Sequence, residues 1–151
     1  MSESARAGEE WARGLPLKAG DFFLGIYQPS PETVGFWEGV RRRELLLKWC
    51  PACRKCFHPK RIVCTDCGMG QLEWRASEGA GEVYSCSEVH RAAHPAFAAA
   101  VPYTVGIVRL AETVYLFSRL IAERVPVRIG VAARLDFRVL ETGHLLPVFL
   151  T

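Results

Sequence analysis

The sequence predicts a mainly β protein: one N-terminal helix, a short cysteine-bearing ribbon and a small closed barrel of five strands. Three observations predict it. Four of the cysteines form two C-x-x-C pairs in the middle of the chain. From Gly81 onward, short runs of alternating apolar and polar residues are separated by turn residues, the pattern of half-buried strands. Before the cysteines, one stretch, Pro31 to about Arg43, carries a helix start and helical spacing of apolar residues.

The ribbon is Cys50-Pro51-Ala52-Cys53, ten intervening residues, then Cys64-Thr65-Asp66-Cys67. Each pair puts two thiolates on one tight knuckle, and two facing knuckles make a tetrahedral four-cysteine site. The alternative, four buried thiols or two disulfides, is disfavoured by the metal-type spacing in a chain without a secretory signal. Iron also accepts four thiolates, so spacing leaves Zn and Fe both open; structural zinc is the expectation. With all four ligands from protein, no position remains for water, and such a site holds the fold without doing chemistry. Cys53-Arg54-Lys55-Cys56 is a rival pair, but the simpler reading makes Cys56 a thiol beside the site. His58 is a possible stand-in ligand, and Cys86 reads as a small core residue in a strand.

Length and composition bound the rest. The chain has 151 residues, 50% of them hydrophobic, enough for a packed core. The formal charge of +3 is too weak to argue for nucleic acid by itself. Met1 to Arg6 lacks a basic segment followed by an apolar run, and no stretch approaches the roughly 18 apolar residues of a membrane span. With metal-type cysteines pointing to a reducing compartment, the expectation is a cytoplasmic protein away from membranes.

In order, residues 1–30 read as an N-terminal extension, whose apolar cluster Phe22 to Tyr27 needs something to pack on. Residues 31–78 are helix plus ribbon. Ser30 is the expected N-cap, Pro31 the first helical residue, and Val34, Trp37 and Val40 the buried stripe; Gly35 and Gly39 weaken the helix. Strands are expected at Glu44–Trp49, with Leu45, Leu47 and Trp49 on one face, and around Leu72–Arg75. Residues 79–151 form the barrel. Its strands are expected at 82–90, 103–110, 113–120, 125–138 with a bulge or bend at Gly130, and 145–150, where Pro147 confines the last to an edge. Five curved strands suit a barrel of the OB type.

Phe36-Trp37-Glu38, the cysteine pairs with Pro59 and Arg61 between them, Gly81-Glu82-Val83-Tyr84-Ser85, Val89-His90-Arg91, His94-Pro95-Ala96-Phe97, Pro102-Tyr103, Ser118-Arg119-Leu120, Val127-Arg128-Ile129-Gly130 and Leu146-Pro147 occur in that order. Together they resemble the bacterial and archaeal OB-fold proteins with a rubredoxin-like zinc ribbon, a former domain-of-unknown-function family. The resemblance covers Pro31 to Leu150. It implies an accessory subunit or fused domain that accompanies thiolase-superfamily enzymes or MaoC-like enoyl-CoA hydratases. Such a subunit docks on its partner as a hetero-oligomer, helps form the acyl-CoA channel, and is needed for acyl transfer or carbon–carbon bond chemistry, as in steroid side-chain aldolases and acyltransferases of lipid metabolism. Two residues depart from the family pattern: Arg54 stands where Gly usually follows the second ligand, and Cys56 is unusual. Gly relieves strain where a knuckle residue needs φ > 0, so a distorted knuckle is expected.

The conspicuous polar stretch is His90-Arg91-Ala92-Ala93-His94-Pro95. No acidic partner or nucleophile is in register with either histidine, so a structural role is preferred over catalysis and no catalytic residue is assigned. For the CoA phosphates, Lys60, Arg61, Arg91 and His94 are the expected contacts, through point charges and Arg forks. An OB-fold and zinc-ribbon polynucleotide binder is the alternative. Against it, the strands lack the exposed aromatic–basic alternation of a stacking platform; Tyr84, Tyr103, Tyr115, Phe117 and Phe137 are expected to be core or dimer-facing. An independent enzyme built on the His90/His94 loop is the third reading.

Overall fold

The computed structural model describes residues 30–92, 100–139 and 145–151. Helix α1 is Val34–Arg41. The strands are β1 Leu45–Cys50, β2 Lys55–Phe57, β3 Glu73–Ser77, β4 Ala80–Val89, β5 Tyr103–Leu110, β6 Tyr115–Ile121, β7 Ala132–Val139 and β8 Leu145–Leu150. The expected N-terminal extension lies almost wholly outside the described residues, as does His94. Among the described residues no helix is long and apolar enough to cross a membrane.

α1 is shorter than its sequence signal. Ser30 and Thr33 form a turn of their own, with the Thr33 N–H donating to the Ser30 carbonyl at 2.8 Å and the two hydroxyls 2.9 Å apart. This turn takes up Pro31 and Glu32, and the helix starts after Thr33. The buried stripe also differs from the expectation. Val40 is buried, Phe36 and Trp37 are half-buried, and Val34 is 40% exposed. The helix turns its glycines toward the ribbon instead: a Cβ on Gly35 would lie 2.3 Å from Trp74, and one on Gly39 would lie 2.7 Å from Leu46. Those glycines permit close approach, which a search for apolar spacing does not register.

β1 is the centre of the ribbon sheet, with β2 and β3 antiparallel on either side. Its alternation does what the sequence predicts for Leu45 and Leu47. Both are buried in the cluster that fills the barrel, with Val83, Val108, Leu110, Leu116, Leu120 and Phe149. Ribbon and barrel thus share one core. Trp49 is only half-buried, and the Arg75 guanidinium lies 3.3 Å from its ring centroid.

The barrel runs β4-β5-β6-β8-β7 and closes through β7 on β4. Every seam is antiparallel except β6–β8, which is parallel and short, pairing Leu120 with Phe149 and Ile121 with Leu150. This is a five-stranded barrel of the OB type. β8 pairs with β7 along its length but with β6 only at Phe149 and Leu150, so it is not an edge strand throughout. Pro147 lies in the part whose β6 side carries no ladder pair, where a proline is tolerated. The expected strand from Val125 is also corrected: β7 begins only at Ala132. The backbone N–H groups of Glu123 and Arg124 donate to the Thr151 carbonyl at 2.9 and 2.8 Å, and Gly130 N–H donates to the Val83 carbonyl. The 122–131 segment spends its backbone on these anchors, and Gly130 sits in its turn at φ 83°.

Candidate metal centre and the adjoining groove

The metal centre is built by two matching knuckles. In the first, the Arg54 N–H donates to the Cys50 carbonyl at 2.8 Å; in the second, the Gly68 N–H donates to the Cys64 carbonyl at 2.9 Å. The Cys53 N–H points at the Cys50 Sγ, 3.4 Å away. Each knuckle ends on a residue in the left-handed region, Arg54 at φ 55° and Gly68 at φ 74°. The expected strain at Arg54 is therefore real in kind, although the knuckle keeps its shape.

The four sulfurs converge. Cys50 and Cys67 Sγ are 3.7 Å apart, as are Cys53 and Cys64, and all four lie within 4.8 Å of one another. A tetrahedron with Zn–S bonds of about 2.3 Å has sulfurs about 3.8 Å apart, so the residues present fit the ion. The first cysteine of each pair is buried and anchors its knuckle in the interior. As thiols the four are not equivalent. Burial pushes Cys64 up, but N–H groups of Cys67 and Asp66 and the neighbouring thiols outweigh it and bring it down to about 7. Cys53 is pushed up to about 12, chiefly by its contacts with Cys67 and Cys64. A cluster that gives up one proton readily and holds the next lacks positive charge, which a divalent cation supplies.

Lys55 and Asp66 form a salt bridge from one knuckle to the other. The Lys55 contact lowers the Asp66 carboxyl, and the Asp66 contact raises the Lys55 ammonium. The sequence carried this signal as a cation next to one pair and an acid inside the other, and spacing alone could not match them. Cys56 stays out of the cluster. It pairs with Trp49 across β1–β2, packs half-buried against the core, and burial raises its thiol. Cys86 packs against the same core, opposite Gly106. His58 is not a ligand either; its Nδ1 accepts from the Lys60 N–H at 3.2 Å.

The other expected contacts are spread out. Lys60 and Arg61 are exposed on the loop after β2, and Arg91 is exposed just past β4. His90, expected to lack an acidic partner, has one: its Nε2 lies 2.7 Å from Glu88, and both are exposed. Lys60 borders an apolar groove of about 220 Å³ between α1, the loop after β2 and the open half of the β6–β8 seam. Phe36, Trp37, Leu116, Phe117 and Pro147 line it, with His58 at its polar side. Sequence reasoning missed this groove, because its walls come from elements far apart in the chain: α1, the loop after β2, β6 and β8. Of the aromatic residues expected to be core or dimer-facing, Tyr84, Tyr115 and Phe117 are not core; they are exposed on the barrel's outside.

A four-cysteine ribbon packed onto a five-stranded OB barrel through a shared core defines a zinc-ribbon/OB-fold protein. The family models described as the ChsH2 rubredoxin-like zinc ribbon domain and the ChsH2 C-terminal OB-fold domain match residues 37–73 and 74–138. The chain belongs to this ChsH2 (DUF35) family. The solved structure titled Ltp2-ChsH2(DUF35) aldolase superposes with a TM-score of 0.71 at 31% identity, covering 80% of this chain and 94% of that one. A curated relative from Thermomonospora curvata, named probable enoyl-CoA hydratase alpha subunit, is 34% identical over 116 residues, 76% of this chain. The chain spans 36% of that relative's length. A DUF35-family crystal structure from Sulfolobus solfataricus, titled as a protein with unknown function, shares the fold at a TM-score of 0.54 and 20% identity, over 74% of this chain and 83% of that one.

Proposed function

We propose that this chain is a non-catalytic accessory subunit that binds a thiolase-superfamily enzyme, or a MaoC-like hydratase, and completes its acyl-CoA channel. The observation that carries this reading is the similarity, over 80% of this chain and 94% of the other, to a chain of the structure titled Ltp2-ChsH2(DUF35) aldolase. The relative named as a hydratase subunit, about twice as long, supports the same module serving as a fused part of an acyl-CoA enzyme.

Cys50, Cys53, Cys64 and Cys67 hold a structural zinc ion, which fixes the ribbon and takes no part in turnover. The acyl-CoA contacts are Lys60 and Arg61 for phosphate, joined by Arg91 and by His94, which lies outside the described residues. Lys60 borders an apolar groove, so a charged head and an apolar chain meet there. The groove's roughly 220 Å³ falls short of the roughly 300–1,000 Å³ of an ordinary ligand pocket. It accommodates part of an acyl chain, and a partner must supply the rest of the channel.

The test is purification of the tagged chain from its own cells, with mass spectrometry of what accompanies it and metal analysis of the same sample. A stoichiometric thiolase-like or hydratase-like protein and one zinc per chain is the expected result. A zinc-loaded chain that purifies alone or with nucleic acid overturns the accessory reading.

A further inference from the structure

Period-2 alternation sorts β6 into two faces. Leu116 and Leu120 are buried in the barrel, while Tyr115 and Phe117 point outward. Across the β5–β6 ladder, Phe117 stands opposite Ile107 and Tyr115 opposite Arg109. On the next strand, a register shift between Val83 and Ser85 leaves Tyr84 as an extra, unpaired residue. Such a bulge re-aims a side chain, and the Tyr84 ring meets Tyr115 edge-on with centroids 5.0 Å apart. The exposures are 52% for Tyr84, 46% for Tyr115 and 73% for Phe117. Phe117 also forms one wall of the apolar groove beside Pro147, so the aromatic face and the groove are continuous.

We infer that the outer face of β4–β6, centred on Tyr84, Tyr115 and Phe117, is a docking surface for a folded protein partner presenting an apolar, weakly charged patch. The inference rests on the accessory-subunit reading and adds where the partner sits. Two observations choose this occupant. The first is area. A fully buried aromatic side chain covers about 150–250 Å², so these three leave roughly 350 Å² of ring surface in water. That approaches the core of one side of a standard interface, roughly 800 Å² per partner, and Tyr and Phe are among the residues enriched there.

The second is charge. A stacking platform for single-stranded nucleic acid needs cations along the phosphate track. Two cations beside the rings are engaged, Arg109 at 2.7 Å from Glu82 in a salt bridge and Arg119 over the Tyr103 ring at 5.1 Å, and a single further cation, Lys60, borders the adjoining groove, too few for a phosphate track. The rings therefore face a protein.

The experiment uses the full zinc-loaded chain co-expressed with the thiolase-like or hydratase-like subunit that purifies with it. Phe117→Glu, and separately Tyr84→Ser with Tyr115→Ser, are compared with wild type. All three side chains are exposed, so the variants keep their far-ultraviolet circular dichroism and one zinc per chain. The expected result is at least a tenfold loss of affinity for the partner in each variant, and covalent capture of that subunit by a photo-crosslinking amino acid at position 117. Wild-type affinity in both variants overturns the docking face while leaving the accessory reading intact. Absence of any complex with wild type overturns both. Binding of a fluorescent oligo-dT that weakens with salt and is lost in Phe117→Glu assigns the face to nucleic acid and overturns the inference.

Discussion

Arg54 and Gly68 occupy equivalent positions, each the residue after the second cysteine of its knuckle, at φ 55° and φ 74°. Both donate their N–H to the carbonyl of the first cysteine. For an L-residue the left-handed region costs roughly 1–2 kcal/mol, while Gly adopts it freely at the cost of a more flexible unfolded chain. The two effects partly cancel. Arg54→Gly is expected to stabilise the zinc-loaded protein by about 0.5–1 kcal/mol, raising Tm by roughly 2–4 °C. A lower Tm would mean that the Arg54 side chain makes a contribution larger than the strain it causes.

Cys50 ends the strand that begins with Leu45 and Leu47, two side chains of the barrel core. Metal loss therefore spreads beyond the ribbon. Cys50→Ser or Cys64→Ser is expected to lose zinc and, because binding and ribbon folding are one equilibrium, to destabilise the barrel in the same transition. Cys56→Ser should keep one zinc per chain, since Cys56 lies outside the sulfur cluster. Metal analysis with urea unfolding followed by tryptophan fluorescence reads both. Stoichiometric zinc in Cys64→Ser would remove it from the ligand set.

The parts of the fold that were legible have strong local codes. Two C-x-x-C pairs announce a site because a knuckle needs that spacing, and the four sulfurs do converge. Tyr103–Leu110 and Leu145–Leu150 emerge with the expected bounds because each is a short apolar-rich run between breaks. The errors have physical sources. Val125, Val127 and Ile129 imitate a strand, but the segment's backbone is committed to Thr151 and Val83. For Tyr115 and Phe117 only the core half of the expectation fails, because alternation gives two faces without naming the wet one. The groove could not be read at all, since Phe36, His58, Phe117 and Pro147 meet only after folding.

Gly35 shows how a weak local preference is overridden by packing. Helix propensity favours Ala over Gly by about 1 kcal/mol. Yet a Cβ here would fall 2.3 Å from the Trp74 Nε1, on a ring whose face already holds the Lys48 ammonium at 3.6 Å. Overpacking of this kind costs about 1–3 kcal/mol, more than the propensity gain. Gly35→Ala is expected to lower stability in urea unfolding, with Lys48→Met restoring none of it. An unchanged or higher midpoint would show that α1 slides off the ribbon at little cost.

His58 offers a pH readout of the groove. Burial first, then the charges of Lys60 and Arg61, hold its imidazole below the usual value of 6.5. The sign follows: between the depressed folded value and 6.5 the unfolded chain binds more protons than the folded one, so stability rises with pH through that window and is lost below it. Removing the two charges in Lys60→Ala with Arg61→Ala should raise the His58 pKa toward 6.5, as read from its ring-proton NMR titration. Coenzyme A added to the wild-type complex should move it in the same direction, because phosphate beside Lys60 and Arg61 cancels their field. A His58 titration that responds to the charge removal but not to coenzyme A would place the phosphates elsewhere, with Arg91 the next residue to test.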